Sequence, residues 1–105
     1  MAWTISFHET AKAEAAALSL DFRARLERLT GLIRDHGLDR LPPKAATHMT
    51  SDPWELRIKG KDGIARAFYV TRANHRLVIV RVFVKKTQKT PPREIKLALK
   101  RAEEV

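Results

Sequence analysis

Apolar and polar positions alternate through Trp3-Thr4-Ile5-Ser6-Phe7, the period of two expected of a half-buried strand. From Glu9 to Leu18 the alternation gives way to Ala, Glu and Lys, which favour helix. Ser19 or Asp21 can cap a second helix, in which Phe22, Leu26, Leu29 and Ile33 recur at spacings of four, three and four and so share one face. Arg23, Arg25, Glu27, Arg28 and Arg34 lie mostly elsewhere, and the helix should end near Gly37. The two segments predict an α-hairpin packed on a sheet by its apolar stripe.

Residues 38–53 contain Pro42-Pro43 and Asp52-Pro53 with little periodicity and are read as a connecting loop. From Trp54 the period of two returns, with Trp54, Leu56 and Ile58 on one face and Glu55, Arg57 and Lys59 on the other. The turn Gly60-Lys61-Asp62-Gly63 leads to a strand over 64–71. Ala73-Asn74-His75 leads to another over 76–84, so that a meander is predicted. The nearly unbroken apolar run Leu77 to Val84 suits a central strand covered on both faces. A basic connector over 85–90 precedes Pro91-Pro92, which opens a last helix from Arg93 to Glu104. The expected fold class is α+β: a small, twisted, mainly antiparallel sheet with an N-terminal α-hairpin on one face and a C-terminal helix.

A length of 105 residues, 44% of them hydrophobic and 31% charged, predicts one soluble domain over residues 1–105. No cysteine is present, which excludes disulfides and thiolate chemistry. No stretch has the length and apolarity of a membrane span, and the opening residues lack the pattern of a secretory signal. A cytoplasmic protein without a membrane partner is therefore expected. The net charge of +9 is unevenly placed: residues 1–52 hold seven basic and seven acidic side chains, whereas residues 53–105 hold fourteen and five. A half this basic attracts polyanions, with nucleic acid foremost, although an excess that keeps the protein soluble or faces an acidic protein partner would give the same charge.

The four histidines (His8, His36, His48 and His75) have no metal-ligand spacing, and neither HExxH, a phosphate-cradling glycine loop nor GxSxG occurs. No cofactor is implied. What remains is a set of cations in and beside the strands: Arg57, Lys59, Arg66, Arg81, Lys85 and Lys86. Arg66 shares its strand face with Ile64, Phe68 and Val70, and a guanidinium in that setting needs a partner. Either it pairs with a carboxylate such as Glu55, or it belongs to a site left open for phosphate.

The segments Trp54-Glu55-Leu56-Arg57-Ile58, Gly63 to Val70 and Phe83-Val-Lys-Lys-Thr-Gln-Lys-Thr-Pro91, followed by a helix with Glu94, Ile95, Ala98 and Arg101, together resemble the phage-derived Gp49-like, HigB-type branch of the RelE/ParE toxin superfamily. The resemblance spans nearly the whole chain. It implies the toxin of a type II toxin–antitoxin pair, acting as a metal-independent, ribosome-dependent endoribonuclease on mRNA. It also implies a cognate antitoxin, of the HigA-like helix-turn-helix kind. In this chemistry the ribose 2′-hydroxyl attacks the adjacent phosphate. The site must remove a proton, stabilise a more negative phosphorane and serve the leaving 5′-oxygen. Carried onto this sequence, Arg66 meets the scissile phosphate, Arg57 positions it, and Lys85 or Lys86 stabilises charge or protonates the leaving group; Lys59, Arg81 and Lys89 extend the RNA-binding surface. Many RelE relatives carry a catalytic Tyr or His near the C-terminus, but no aromatic or imidazole follows Phe83 here. Tyr69 and His48 are the possible substitutes, with Tyr69 at the opposite strand parity to Arg66. The ParE branch shares the fold and inhibits DNA gyrase without nuclease chemistry. It is the second reading, and a basic module that only binds RNA or a protein is the third.

Overall fold

A computed structural model of the protein describes residues 3–38, 46–48, 53–61, 63–85 and 91–105. The elements in chain order are β1 (Thr4–Phe7), α1 (Glu9–Ala16), α2 (Leu20–His36), β2 (Ala46–His48), β3 (Trp54–Gly60), β4 (Gly63–Arg72), β5 (Arg76–Lys85) and α3 (Pro92–Ala102). The strands form one sheet in the order β1-β5-β4-β3-β2. Its β2 to β5 part is antiparallel, and β1 adds to β5 in parallel. The α+β class and the meander agree with the sequence pattern. The segment read as a loop over 38–53 requires correction, because Ala46–His48 pairs with Trp54–Leu56. A strand of three residues is too short to display a period. No described helix is long and apolar enough to cross a membrane.

Local chemistry sets the helix ends. The His8 ring Nδ1 accepts from Thr10 N–H at the start of α1, and Ser19 Oγ accepts from Phe22 N–H at the start of α2, each satisfying a donor the first turn leaves free. Gly37, at φ 84°, closes α2 in a conformation that disfavours a side chain, and its N–H donates to the Ile33 carbonyl at 2.8 Å. Pro92 sits in the first turn of α3, where its missing N–H costs nothing.

The two sheet faces carry separate cores. Against α1 and α2 lie Leu56 and Ile58 of β3, Ala65, Ala67 and Tyr69 of β4, and Leu77, Ile79 and Val82 of β5, packed with Ala11, Phe22, Leu26 and Ile33. Ala65 and Ala67, both at 0% exposure, leave room for the α2 side chains to reach the sheet. Each large apolar side chain sealed here contributes about 1.5–3 kcal/mol. On the opposite face Phe68, Val70, Val78 and Val80 pack with Ala98 and Ala102 of α3, and Ile95 and Phe83 lie at the margin.

A bulge interrupts the β4–β5 ladder: Phe68 pairs with Arg81 but Tyr69 pairs with Ile79, leaving Val80 as the extra residue. Parity therefore shifts within β5, so that Ile79 and Val82 face the same core although three positions separate them. β1 reaches only to Ile79, and beyond it the backbone of β5 is an edge. Side chains complete it, with Val82 N–H donating to Glu14 of α1 at 3.1 Å and Arg101 of α3 donating to the Val80 carbonyl at 2.9 Å. A buried edge left unpaired would carry an unsatisfied donor and acceptor.

Candidate nucleic-acid interface

The register of the meander assembles the strand cations on the face that carries α3. Arg57 pairs with Arg66, and Arg66 with Phe83, in one row across β3, β4 and β5. Lys59, Ile64 and Lys85 form the next row toward the β3–β4 turn; Glu55, Phe68 and Arg81 form the row on the other side. The α3 core occupies the Phe68, Val70, Val78 and Val80 part of this face. The rows of Arg57 and Lys59 lie beyond it, with Lys59 exposed and Arg57 half-buried.

Among the described cations of these rows Arg66 is the most enclosed. Its Nη1 donates to Glu55 Oε2, and both side chains are 4% exposed. Of the two alternatives for this residue, the carboxylate pair is the arrangement present. Arg66 Nε and Arg57 Nε are both buried and have no hydrogen-bond partner among the described residues. Two guanidinium groups thus stand in register with donors to spare, and one carboxylate is bonded to the inner of them. Buried N–H donors without an acceptor are costly, and this pair of them favours an anion at the open side of the Arg57 row.

Arg81 has a different setting from the one expected of an RNA contact. Its guanidinium binds Glu14 through Nη1, and Glu94 through Nε and Nη2 at 3.2 and 2.9 Å. Arg101 adds bonds to both oxygens of Glu14. The four residues tie α1, β5 and α3 together, which commits Arg81 to the scaffold. Burial raises the Glu14 pKa, but the Arg101 hydrogen bond, the Val82 N–H and the charges of Arg81 and Arg101 outweigh it and hold the carboxyl below its ordinary value. Glu14 and Glu94 lie far from Arg81 in sequence, so strand parity could not reveal this network. Within α3 the only local signal is the seven-residue spacing that puts Glu94 and Arg101 on one helix face.

Tyr69 lies on the α1/α2 side, 1% exposed and stacked on Trp54 at 6.4 Å. Burial pushes its phenol up to about 12, and it cannot reach the Arg57 row through the sheet. His48 is in register with Trp54. Lys85 is known by its register with Ile64, and Lys86 and Lys89 lie outside the described residues. His8 bonds Glu104 at 2.5 Å at the end of α3, and His75 packs its ring against Trp3. Neither belongs to the cation face. Phe83, half-buried in the row of Arg57 and Arg66, was not singled out for a role by the sequence, although its place two residues before Lys85 on a strand gives it the same parity.

The family described as phage derived protein Gp49-like (DUF891) matches residues 13–103. No curated protein matches the chain. Among solved structures, the fold is similar to that of a double arginine-to-alanine mutant of the E. coli toxin RelE in the free state, with a TM-score of 0.66, 19% identity, and coverage of 96% of this chain and 98% of that one. It is also similar to the archaeal RelE–RelB complex from Pyrococcus horikoshii OT3, with a TM-score of 0.57, 14% identity, and coverage of 82% and 98%. With the family pattern running through α1 to α3 and the helices set about the sheet as in those toxins, the chain belongs to the phage-derived Gp49-like family and has the RelE fold.

Proposed function

We propose that the protein is the toxin of a type II toxin–antitoxin pair and inhibits translation by cutting mRNA on the ribosome. The observation that carries this reading is the Arg57 row: a half-buried arginine whose Nε has no partner among the described residues, with exposed Lys59 in the next row, toward the β3–β4 turn and away from the buried α3 core. Such donors suit a phosphodiester whose charge rises in the transition state. In the cleavage, the 2′-hydroxyl gives up its proton to water as its oxygen bonds to phosphorus and the bond to the 5′-oxygen breaks. A 2′,3′-cyclic phosphate and a 5′-hydroxyl result. Arg57 and Lys59 hold the phosphate, while Lys85 and Lys86 take up charge at the leaving oxygen and protonate it. Arg66, closed off by Glu55, acts from behind as the fixed neighbour of Arg57, so direct phosphate contact passes from Arg66 to Arg57.

The partner in this reading is an antitoxin of HigA-like helix-turn-helix type whose acidic segment covers the same face, in keeping with the charge of residues 53–105 and with the RelE–RelB pairing of the archaeal neighbour. Gyrase inhibition is the second reading. It draws on one observation: among the described side chains, neither imidazole nor phenol stands on the Arg57 face. Primer extension on mRNA from cells expressing the protein, repeated with purified programmed ribosomes, separates the two. New 5′ ends that disappear in Arg57→Ala support cleavage. Intact mRNA together with relaxed or broken DNA would replace it with gyrase inhibition.

A further inference from the structure

Phe68 and Phe83 both belong to the α3 face, but Phe68 is sealed at 0% exposure while Phe83 stays partly open. Among the described residues, the two ring contacts of Phe83 lie toward one row of the sheet. Phe68 lies 5.5 Å away at a tilt of 51°, and the Arg81 guanidinium lies 5.3 Å from the ring centroid. These two are cross-strand partners in a single row of the sheet. In the opposite direction the next row is Lys59–Ile64–Lys85, with Lys59 exposed and Ile64 only half-buried. One side of the ring is thus backed, and the row that follows it in register on the other side carries Lys59 and Lys85. The backing is rigid, because Glu14 and Glu94 clamp Arg81.

We propose that Phe83 is a stacking platform for one nucleobase of a single-stranded RNA, resting on the ribonuclease reading above. Phe83 and Arg57 occupy the outer positions of a three-strand row, so their backbones are about 10 Å apart at the usual strand spacing. Phosphate on Arg57 and base on Phe83 is therefore an arrangement of nucleotide dimensions. Aromatic stacking tolerates any base, so the platform positions the strand for in-line attack whatever the sequence read elsewhere. A purely structural Phe83 would need only apolar bulk, which leucine also supplies.

The test uses the full-length protein and an oligoribonucleotide made uncleavable by 2′-O-methyl groups, free and loaded on ribosomes, with 2-aminopurine moved one position at a time. Wild type should quench the fluorescence at one position. Phe83→Leu should lose that quenching and bind about 10-fold more weakly or worse, with heparin binding unchanged, whereas Phe83→Tyr should keep both. Wild type that binds the RNA without quenching any position overturns the platform and leaves the ribonuclease reading standing, as does Phe83→Leu with quenching and affinity intact. The first of these needs no variant, so the proposal remains open to refutation even if Phe83→Leu fails to fold. Wild type that binds neither form of the RNA removes the ribonuclease reading, and the platform with it.

Discussion

Arg66 of β4 and Glu55 of β3 form an ion pair with a 2.5 Å contact, closed to solvent on both sides. A buried pair of this kind is weak as a source of net stability, but removing one partner strands the other charge and costs about 3–5 kcal/mol. Arg66→Ala and Glu55→Ala should each lower the melting temperature steeply, whereas Glu55→Leu with Arg66→Met should recover most of the loss. Thermal and urea unfolding of the three variants measure this. A fully stable Arg66→Ala protein would mean that the pair is not structurally required.

Arg57 should behave in the opposite way. Its Nε has no partner among the described residues, so Arg57→Ala should change stability by less than about 1 kcal/mol. Its cleavage rate should fall by about 100- to 1,000-fold, the usual cost of losing one preorganised charge-stabilising donor. Arg57→Lys should recover only part, because it keeps the charge and loses the fork. Single-turnover cleavage on programmed ribosomes, normalised to folded protein, checks both variants.

Acid should loosen the junction of α1, β5 and α3 through Glu14. The folded pKa of Glu14 lies below its ordinary value. Its contribution to stability is therefore complete above the unfolded pKa, about 4.3, and is lost as pH falls through the folded one. Melting temperatures of wild type and Glu14→Gln should differ most near neutral pH and converge toward pH 3. A constant gap across that range would remove Glu14 from the acid response.

Two glycines should respond with opposite signs. A Cβ on Gly31, in the interior of α2, meets nothing within 4 Å. Gly31→Ala should stabilise by about 0.5–1 kcal/mol. A Cβ on Gly60 would lie 2.7 Å from the Phe22 ring and from Asp21 Oδ2. Gly60→Ala should destabilise by about 1–3 kcal/mol, since the buried ring has little room to move. Equilibrium denaturation of the pair settles both signs.

The strands and helices that carry a regular period were readable in the sequence, down to the α2 stripe and the faces of Arg57, Lys59 and Arg66. Three features were not, each for a physical reason. β2 offers only Ala46-Thr47-His48, and its pairing is fixed by β3 rather than by its own pattern. The Val80 bulge resets parity within an apolar run in which every position looks alike. Arg81 is claimed by carboxylates 67 positions before it and 13 after it, a choice of partner that only the completed fold makes. The carboxylate bonded to Arg66 was among the alternatives, because Glu55 has the strand parity to meet it.

The parallel pairing of β1 with β5 joins Thr4 to Arg76 and Phe7 to Ile79, nearly the two ends of the sheet-forming chain. During synthesis β1 thus emerges before the other described strands and must wait for β5 to find its neighbour. At about 5–20 residues per second it waits about 4–14 s for β5. The β3–β4–β5 meander, whose contacts are local, closes ahead of it. The cation rows are therefore assembled only once β5 has been made, by segments that leave the ribosome together, and the nascent chain lacks them until then.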